Sequence, residues 1–329
     1  AVGMMEIASF AKYTIRGSGA SDWLDRLLTC RLPADGRMTL APMLNHGGKL
    51  IGDFSLANLG DGEFFIVGSG LAENYHMRWF TQNLPEDGSV EIIARGPGLV
   101  GLSIAGPKSR ELLQRLVDDD VSNEAFRFLD IRKLDVGMAP CLVGRVSFTG
   151  DLGYEIWMEP EFQRYVFDLI QNQGEDLGLR LFGSRALNSL RVEKNFGSWA
   201  REYRPIYGPY EAGMGRFVAL KKDADFIGKA GAAAEKEHGG KLRLRVFVVD
   251  ATDADAIGDE PIRHQGEVKG WVTSGGYAHA SGLSVAMGYV PKEIADEKDG
   301  WSIDILGETL SATPQPEPIF DPKAERMRG

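Results

Sequence analysis

Cysteine is scarce in this sequence, and its scarcity excludes several kinds of site. The 329 residues include only two cysteines, Cys30 and Cys141. They can form neither a CxxC motif nor a Cys-rich zinc site. Because intracellular proteins keep their thiols reduced, we expect a reducing compartment, either the cytoplasm or, in a eukaryote, the mitochondrial matrix.

Other common signals are also absent. The five histidines show no HExxH or HxH spacing, and no Walker loop, GxSxG elbow or GxGxxG strand–helix turn is present. No apolar stretch approaches the roughly 18 residues of a membrane helix. Basic residues number 37 and acidic residues 47, so the net charge is −10, whereas binding to nucleic-acid phosphates needs a basic surface. We therefore expect no metal site, no nucleic-acid partner and no membrane association.

The composition is that of a globular protein of about two domains. Hydrophobic residues make up 43% and charged residues 26%, which excludes disorder as the main state. Strand and helix patterns alternate at first, whereas after residue 241 the pattern predicts strands at 242–249, 267–273, 283–290 and 302–310. The sequence thus predicts an α+β domain at 1–230, a linker helix at 230–240 and a β-barrel-like domain at 241–318.

Three local patterns in the first 230 residues carry further predictions. Ser21 and Asp22 precede an apolar stripe at helical spacing, which predicts a helix with a side-chain N-cap. Segments 142–148 and 154–158 flank a Gly-rich turn and predict a hairpin. The long irregular stretch at 195–215 contains five aromatic residues, so we expect it to be ordered and functional.

Three polar residues are candidates for chemistry. Asp53 interrupts an apolar strand-like run, where a carboxylate is costly unless it faces outward or has a partner. Glu155 shares a strand face with Trp157, a pair that suits a planar heterocycle with two N–H donors, although a half-exposed surface would look the same. Arg185, near the start of a helix, either holds an anionic group or is a solvated helix residue.

Six blocks of the chain resemble, in the correct order, blocks of the glycine-cleavage T-protein (aminomethyltransferase) family. They are 44–54 (LNHGGKLIGDF), 145–155 (RVSFTGDLGYE), 190–199 (LRVEKNFGSW), 211–215 (EAGMG), 225–229 (DFIGK) and 272–276 (VTSGG), the last followed by 285–290 (VAMGYV). The LRVEK…W form is most similar to the C-terminal folate-binding half of dimethylglycine and sarcosine dehydrogenases or oxidases.

This resemblance implies a cloverleaf of subdomains around a tetrahydrofolate channel, completed by a C-terminal antiparallel β-barrel. It implies that Asp53 is catalytic and that Glu155 binds the N–H edge of the pterin. Further folate contacts are implied at Arg185, Trp199, Phe148 and Gly213. Phe148 departs from the family pattern, in which tyrosine is common, so a hydroxyl contact is expected to be missing on that side of the site.

The implied function is the capture of a one-carbon unit. An FAD-dependent amine oxidase, on the same or a separate chain, would oxidise an N-methylated amine. Tetrahydrofolate bound here would accept the carbon, from the amine or as formaldehyde, as 5,10-methylene-tetrahydrofolate. Because the sequence begins at Ala1 and the flavin unit is absent, we expect the C-terminal part of a longer protein. Two alternatives stay open: a folate-dependent O- or S-demethylase, and a folate-binding domain without turnover.

Overall fold

The computed structural model describes residues 1–329 and divides into two compact units. The first unit comprises Ala1–Ala41, Asp53–Gly183 and Ala324–Gly329. The second comprises Pro42–Gly52 and Ser184–Lys323. No helix has both the length and the apolar character needed to cross a membrane.

The chain up to residue 181 alternates strands and helices. In order these are β1 Gly3–Glu6, β2 Ala11–Arg16, α1 Ala20–Leu27, β3 Arg37–Leu44, β4 Leu50–Gly60, β5 Glu63–Gly68, α2 Glu73–Gln82, β6 Glu91–Ala94, β7 Val100–Ala105, α3 Ser109–Leu116, β8 Ile131–Val136, β9 Ala139–Gly144, β10 Gly153–Met158, α4 Gln163–Gln173 and β11 Arg180–Leu181.

The remainder has two helices, a run of strands and a short terminal helix. These are α5 Ser184–Glu193, α6 Lys229–His238, β12 Leu242–Val249, β13 Pro261–His264, β14 Glu267–Ala278, β15 Leu283–Pro291, β16 Trp301–Ile305, β17 Glu308–Gln315 and α7 Glu325–Arg328.

Two sheets form the first unit. One has the strand order β3-β4-β5-β2-β6 and the other β11-β1-β7-β10-β9-β8. They pack face to face through one buried apolar cluster, here called the intersheet cluster: Ile7, Met38, Ala57, Phe65, Val67, Leu99, Ile131 and Trp157. The opposite face of the six-stranded sheet is covered by α3 and α4.

The alternation predicted for β10 is confirmed. Tyr154, Ile156 and Met158 belong to the core beneath α3 and α4, whereas Trp157 belongs to the intersheet cluster. Successive side chains of a strand point to opposite faces, so Glu155 shares the intersheet face with Trp157.

The predicted hairpin is shorter than expected. Strand β9 pairs with β10 but ends at Gly144, and residues 145–152 form a loop. Beyond Gly144 the chain continues to pair on the β8 side only: the backbone N–H of Arg145 donates to the carbonyl of Asp130 at 2.8 Å, and the carbonyl of Arg145 accepts from the N–H of Leu129 at 3.0 Å. The loop is closed by its own hydroxyls, since Ser147 Oγ and Thr149 Oγ1 lie 2.7 Å apart. Phe148 therefore lies in a turn rather than in a strand.

The predicted cap of α1 is wrong. The helix begins at Ala20, after Gly19 at the N-cap, and no side chain caps it. Gly19 fits there because a Cβ atom would lie 2.5 Å from Ser89 Oγ. Ser21 and Asp22 consequently fall inside the first turn, where the charge of Asp22 still suits the helix dipole.

The second unit contains the predicted antiparallel barrel. Its strands close in the order β12-β15-β14-β13-β16-β17. The strand expected at 302–310 is two strands, because Leu306 (φ 49°) and Gly307 (φ 92°) form a tight turn between β16 and β17. Sequence reasoning missed β13, which turns into β14 through the similar pair Gln265 and Gly266. The domain boundaries at 230, 241 and 318 stay a prediction.

The irregular stretch at 195–215 is ordered by buried polar contacts. Arg191 on α5 donates from Nη1 to Glu202 Oε2 at 2.8 Å, and both side chains are almost fully buried. The other oxygen of Glu202 accepts from Thr273 Oγ1 on β14 at 2.6 Å. The pair thereby ties this stretch to α5 and to the barrel within the second unit.

Candidate functional site

Asp53 lies on β4 and points toward the intersheet face. By strand alternation it shares a face with Ser55 and with Ala57, which belongs to the intersheet cluster. Its neighbour Phe54 points the other way, with its ring 4.6 Å from that of His76 on α2. The Asp53 side chain is half-buried, and its Oδ1 atom is shielded from solvent. The surrounding strand thus presents a carboxylate to the apolar interior of the first unit.

Glu155 occupies the middle of the six-stranded sheet. Its register partners are Ser103 on β7 and Gly144 on β9, so small residues flank it on both sides. No lysine, arginine or histidine forms an ion pair with it. Burial raises the pKa of Glu155 to about 7, and the neighbouring indole of Trp157 opposes that rise. The arrangement leaves a half-buried carboxylate that would gain from further N–H donors.

Trp157 forms the apolar wall beside this carboxylate. Its indole lies directly over Gly101 on β7, where a Cβ atom would be 2.5 Å from the ring. The ring of Phe65 on β5 packs edge-on against it at 5.9 Å between centroids. The indole is about 1% exposed because these contacts cover it, so it shapes the apolar surroundings of the carboxylate and offers no free face. The group that could accept the N–H groups of a flat heterocycle is Glu155 itself.

Sequence reasoning missed Lys12. This lysine on β2 is almost fully buried, donates to the Ala8 carbonyl at 2.5 Å and lies 6.0 Å from the centre of the Trp157 ring. Burial lowers the pKa of Lys12, while the negative charges of Glu73 and Glu6 oppose the shift. In the sequence KYTI, Lys12 reads as an ordinary outward-facing strand residue, so no sequence signal could have identified it.

The six predicted site residues divide between the two units. Asp53, Phe148 and Glu155 lie in the first unit. Phe148 is half-buried in the turn closed by Ser147 and Thr149. The first unit therefore brings two of the predicted residues, Asp53 and Glu155, onto facing surfaces of its two sheets.

The other three predicted residues lie in the second unit. Arg185 is exposed in the first turn of α5, where the helix dipole does not favour a cation. Trp199 is half-buried and forms an isolated bridge with Tyr203. Gly213 is exposed at φ 74°, with open space where a Cβ atom would be. No group of three or more histidine, cysteine or acidic side chains lies close enough together to hold a metal ion.

The fold and the site define a class: a two-unit α+β protein with a C-terminal antiparallel barrel and a carboxylate on each of two facing sheets. Residues 1–222 match the family model described as the GCVT N-terminal domain. Residues 243–321 match the glycine cleavage T-protein C-terminal barrel domain. The chain therefore belongs to the glycine cleavage T-protein family, which confirms the resemblance of the sequence blocks.

Two curated relatives illustrate the range of the family. The chain is 32% identical to mitochondrial dimethylglycine dehydrogenase of Rattus norvegicus over 328 residues, which cover 99% of this chain and 38% of that protein. It is 27% identical to aminomethyltransferase of Clostridium botulinum (strain Okra / Type B1) over 312 residues, covering 94% of this chain and 84% of that protein. The chain thus spans well under half of the dehydrogenase and most of the aminomethyltransferase.

A solved structure has the same fold. The glycine cleavage system aminomethyltransferase T from Bartonella henselae superposes with a TM-score of 0.87 at 19% identity, over 98% of this chain and 87% of that one. The predicted α+β fold with a C-terminal barrel is therefore confirmed.

Proposed function

We propose that this chain is a tetrahydrofolate-dependent one-carbon transfer module. It captures the methyl-derived carbon released when dimethylglycine or a sarcosine-type amine is oxidatively N-demethylated, and its product is 5,10-methylene-tetrahydrofolate. The observation that carries this proposal is Glu155: a half-buried carboxylate without a cationic partner, beside a fixed indole. Kinship with dimethylglycine dehydrogenase and aminomethyltransferase supports the choice of substrate class.

Glu155 binds the pterin in this account. Its two oxygens accept N–H groups from one edge of the ring, and these donors compensate for the burial that raises its pKa to about 7. Neither of its register partners, Ser103 and Gly144, carries a charge that would compete with the ligand for the carboxylate. Further folate contacts are proposed at Phe148, Arg185, Trp199 and Gly213, with Arg185 facing an anionic group.

Asp53 is the proposed catalytic residue. Tetrahydrofolate, when bound, supplies the nitrogen nucleophiles that take up the one-carbon unit. The Asp53 carboxylate orients the reacting nitrogen and stabilises positive charge there, or accepts its proton. General-base or electrostatic assistance of this kind is worth about 10²–10⁴ in rate. Its position on the apolar intersheet face helps to keep water from the reacting carbon.

The proposed partner is an FAD-dependent amine-oxidising unit. The chain covers only 38% of the length of the dimethylglycine dehydrogenase that it resembles, so a longer protein has ample room for such a unit. It would deliver the carbon as an oxidised amine or as formaldehyde. The choice of amine then belongs to that unit rather than to this chain.

A coupled assay tests this function. The full chain is mixed with tetrahydrofolate and a limiting dose of formaldehyde, and an NADP-dependent methylene-tetrahydrofolate dehydrogenase reports the product at 340 nm. Because formaldehyde and tetrahydrofolate also condense unaided, the control is the same mixture without the chain. We expect a rate that increases in proportion to chain concentration. A rate equal to the uncatalysed rate at every concentration would contradict turnover and favour a folate-binding domain without catalysis.

A further inference from the structure

Arg145 places a fully buried positive charge at the start of the turn that carries Phe148. Its side chain is 0% exposed. Neutral oxygens accept its hydrogen bonds: Nη1 donates to Asn123 Oδ1 and to the Phe126 carbonyl, both at 2.6 Å, and Nη2 donates to the Arg328 carbonyl. A buried charge is costly unless such partners surround it, so each of these three oxygens helps to keep the guanidinium in its place.

The third oxygen comes from the segment 324–329, here called the clasp. The clasp belongs to the first unit, although the chain that precedes it belongs to the second. Met327 is its apolar anchor, at 7% exposed. Gly329 packs against two guanidinium groups, because a Cβ atom there would collide with Arg110 Nη2 and would lie 2.8 Å from Arg145 Nη2. One buried side chain and two close main-chain contacts therefore dock the clasp.

The clasp contacts both ends of the turn 145–152. Arg145, which donates to the clasp, is the first residue of the turn. Near the other end, Asp151 Oδ1 lies 3.7 Å from Arg326 Nε of the clasp. Phe148 lies between these two points of attachment, so a shift of the clasp would be carried to Phe148 from either side.

We propose that the clasp is a positioning element for the folate site: it holds both ends of the turn 145–152, and thereby keeps Phe148 in one place against the ligand. Without the Arg328 carbonyl the buried guanidinium of Arg145 would lose one acceptor and would move toward another, taking the turn with it. The inference rests on the proposed function for the ligand and for the role of Phe148, but not for the hold of the clasp on the turn.

Amide hydrogen exchange on the full chain tests this hold without any ligand. Met327→Ser removes the anchor of the clasp and leaves the turn unchanged. Arg328→Ala is the matched control, because it removes an exposed side chain and keeps the carbonyl. In Met327→Ser we expect the amides of Asp151 and Leu152 to exchange at least about ten-fold faster, since a charged group has lost a hydrogen bond. The control should exchange like wild type.

The amide of Gly329 reports whether the clasp has opened, because it donates to the Glu325 carbonyl at 3.0 Å. Fast exchange at Gly329 in Met327→Ser, with Asp151 and Leu152 at their wild-type rates, would overturn the proposal. If Met327→Ser leaves the clasp closed or fails to fold, a chain shortened to end at Lys323 decides in the same way, by the rates of the turn amides.

Titration with 5-formyl-tetrahydrofolate tests the consequence. We expect Met327→Ser to bind about ten-fold more weakly than wild type and Arg328→Ala to bind equally well. In the coupled assay Met327→Ser should need more folate for half-maximal rate but reach nearly the wild-type maximal rate, because Asp53 is unchanged; a general loss of structure would lower the maximal rate as well.

The two experiments separate this proposal from the proposed function. If the wild type binds the folate and Met327→Ser binds it equally well with its turn amides exposed, the clasp does not position Phe148 for the ligand. If the wild type fails to bind, the proposed function fails, while the exchange rates still decide whether the clasp holds the turn.

Discussion

At the scale of single residues, the protonation of Glu155 links ligand binding to pH. Burial raises its pKa to about 7, so near neutral pH the carboxyl group is divided between its two forms. Only the ionised form accepts two N–H groups at once. Affinity for a pterin should therefore fall as the pH drops below 7, by up to tenfold per pH unit. Near and below pH 7, binding of the ligand should also release a proton from Glu155.

The same residue should make stability depend on pH. A carboxyl group whose pKa is raised in the folded state contributes stability that is complete below its unfolded value, near 4.3, and is lost as the pH rises through 7. Glu155→Gln cannot ionise, so its melting temperature relative to wild type should rise between pH 4.5 and 8 and then level off. Thermal unfolding across this range, with exposed Glu161→Gln as control, measures the effect. A constant difference between wild type and Glu155→Gln would contradict the buried-carboxyl account.

Asp53 carries a separate prediction, because its proposed role is chemical rather than structural. Asp53→Ala should lower the rate of methylene transfer by at least about a hundred-fold while leaving folate affinity and the melting temperature close to wild type. Single-turnover measurements with saturating folate separate the transfer rate from affinity. A rate near wild type would remove Asp53 from the catalytic step.

At the scale of secondary structure, the second unit depends on a buried ion pair. Glu202 is fully buried and accepts hydrogen bonds from Arg191, Thr273 and the backbone N–H of Ser198. Arg191 also donates to Ser274 Oγ on β14 at 2.5 Å. The irregular stretch at 195–215 forms backbone hydrogen bonds within its own turns, and this pair anchors it to α5 and β14.

Removing one partner should therefore be worse than removing both. Glu202→Ala leaves the Arg191 guanidinium buried without its anion, and we expect a loss of about 3–5 kcal/mol in unfolding free energy. The double variant Arg191→Met/Glu202→Leu replaces the pair by apolar groups and should recover much of that loss. Urea unfolding of the full chain compares the two. A double variant as unstable as Glu202→Ala would contradict this expectation, because it would show that the loss does not come from leaving the Arg191 charge buried without its anion.

Strand patterns predicted the barrel better than its turns. The expected strand at 242–249 coincides with β12, because its alternating apolar residues are bounded by clear breakers. The stretch at 302–310 hides a two-residue turn, since Leu306 is an apolar residue in a left-handed conformation that sequence rules assign to Asn, Asp or Gly. Strand β13 has only four residues and begins with Pro261, so its pattern is too short to recognise.

At the scale of the whole molecule, the fold was predictable because six short blocks occur in family order. The geometry around Glu155 was only partly predictable. That Glu155 and Trp157 share one face follows from the alternation of side chains along a strand, so the sequence of this one strand is enough to predict it. Gly101 on β7 and Lys12 on β2 lie against the Trp157 ring although both are far from it in sequence. Their placement depends on how the strands are ordered in the sheets, which the sequence does not reveal.

The central claim is that this chain binds a folate through Glu155, and calorimetric titration with 5-formyl-tetrahydrofolate tests it most directly. Wild type, Glu155→Ala and the control Glu161→Ala are titrated at pH 8, where Glu155 is mostly ionised. We expect saturable binding at micromolar affinity for wild type and control, and a loss of at least about ten-fold for Glu155→Ala, since the ring N–H groups lose a charged acceptor. No binding by wild type up to millimolar ligand, or equal binding by Glu155→Ala, would contradict the claim.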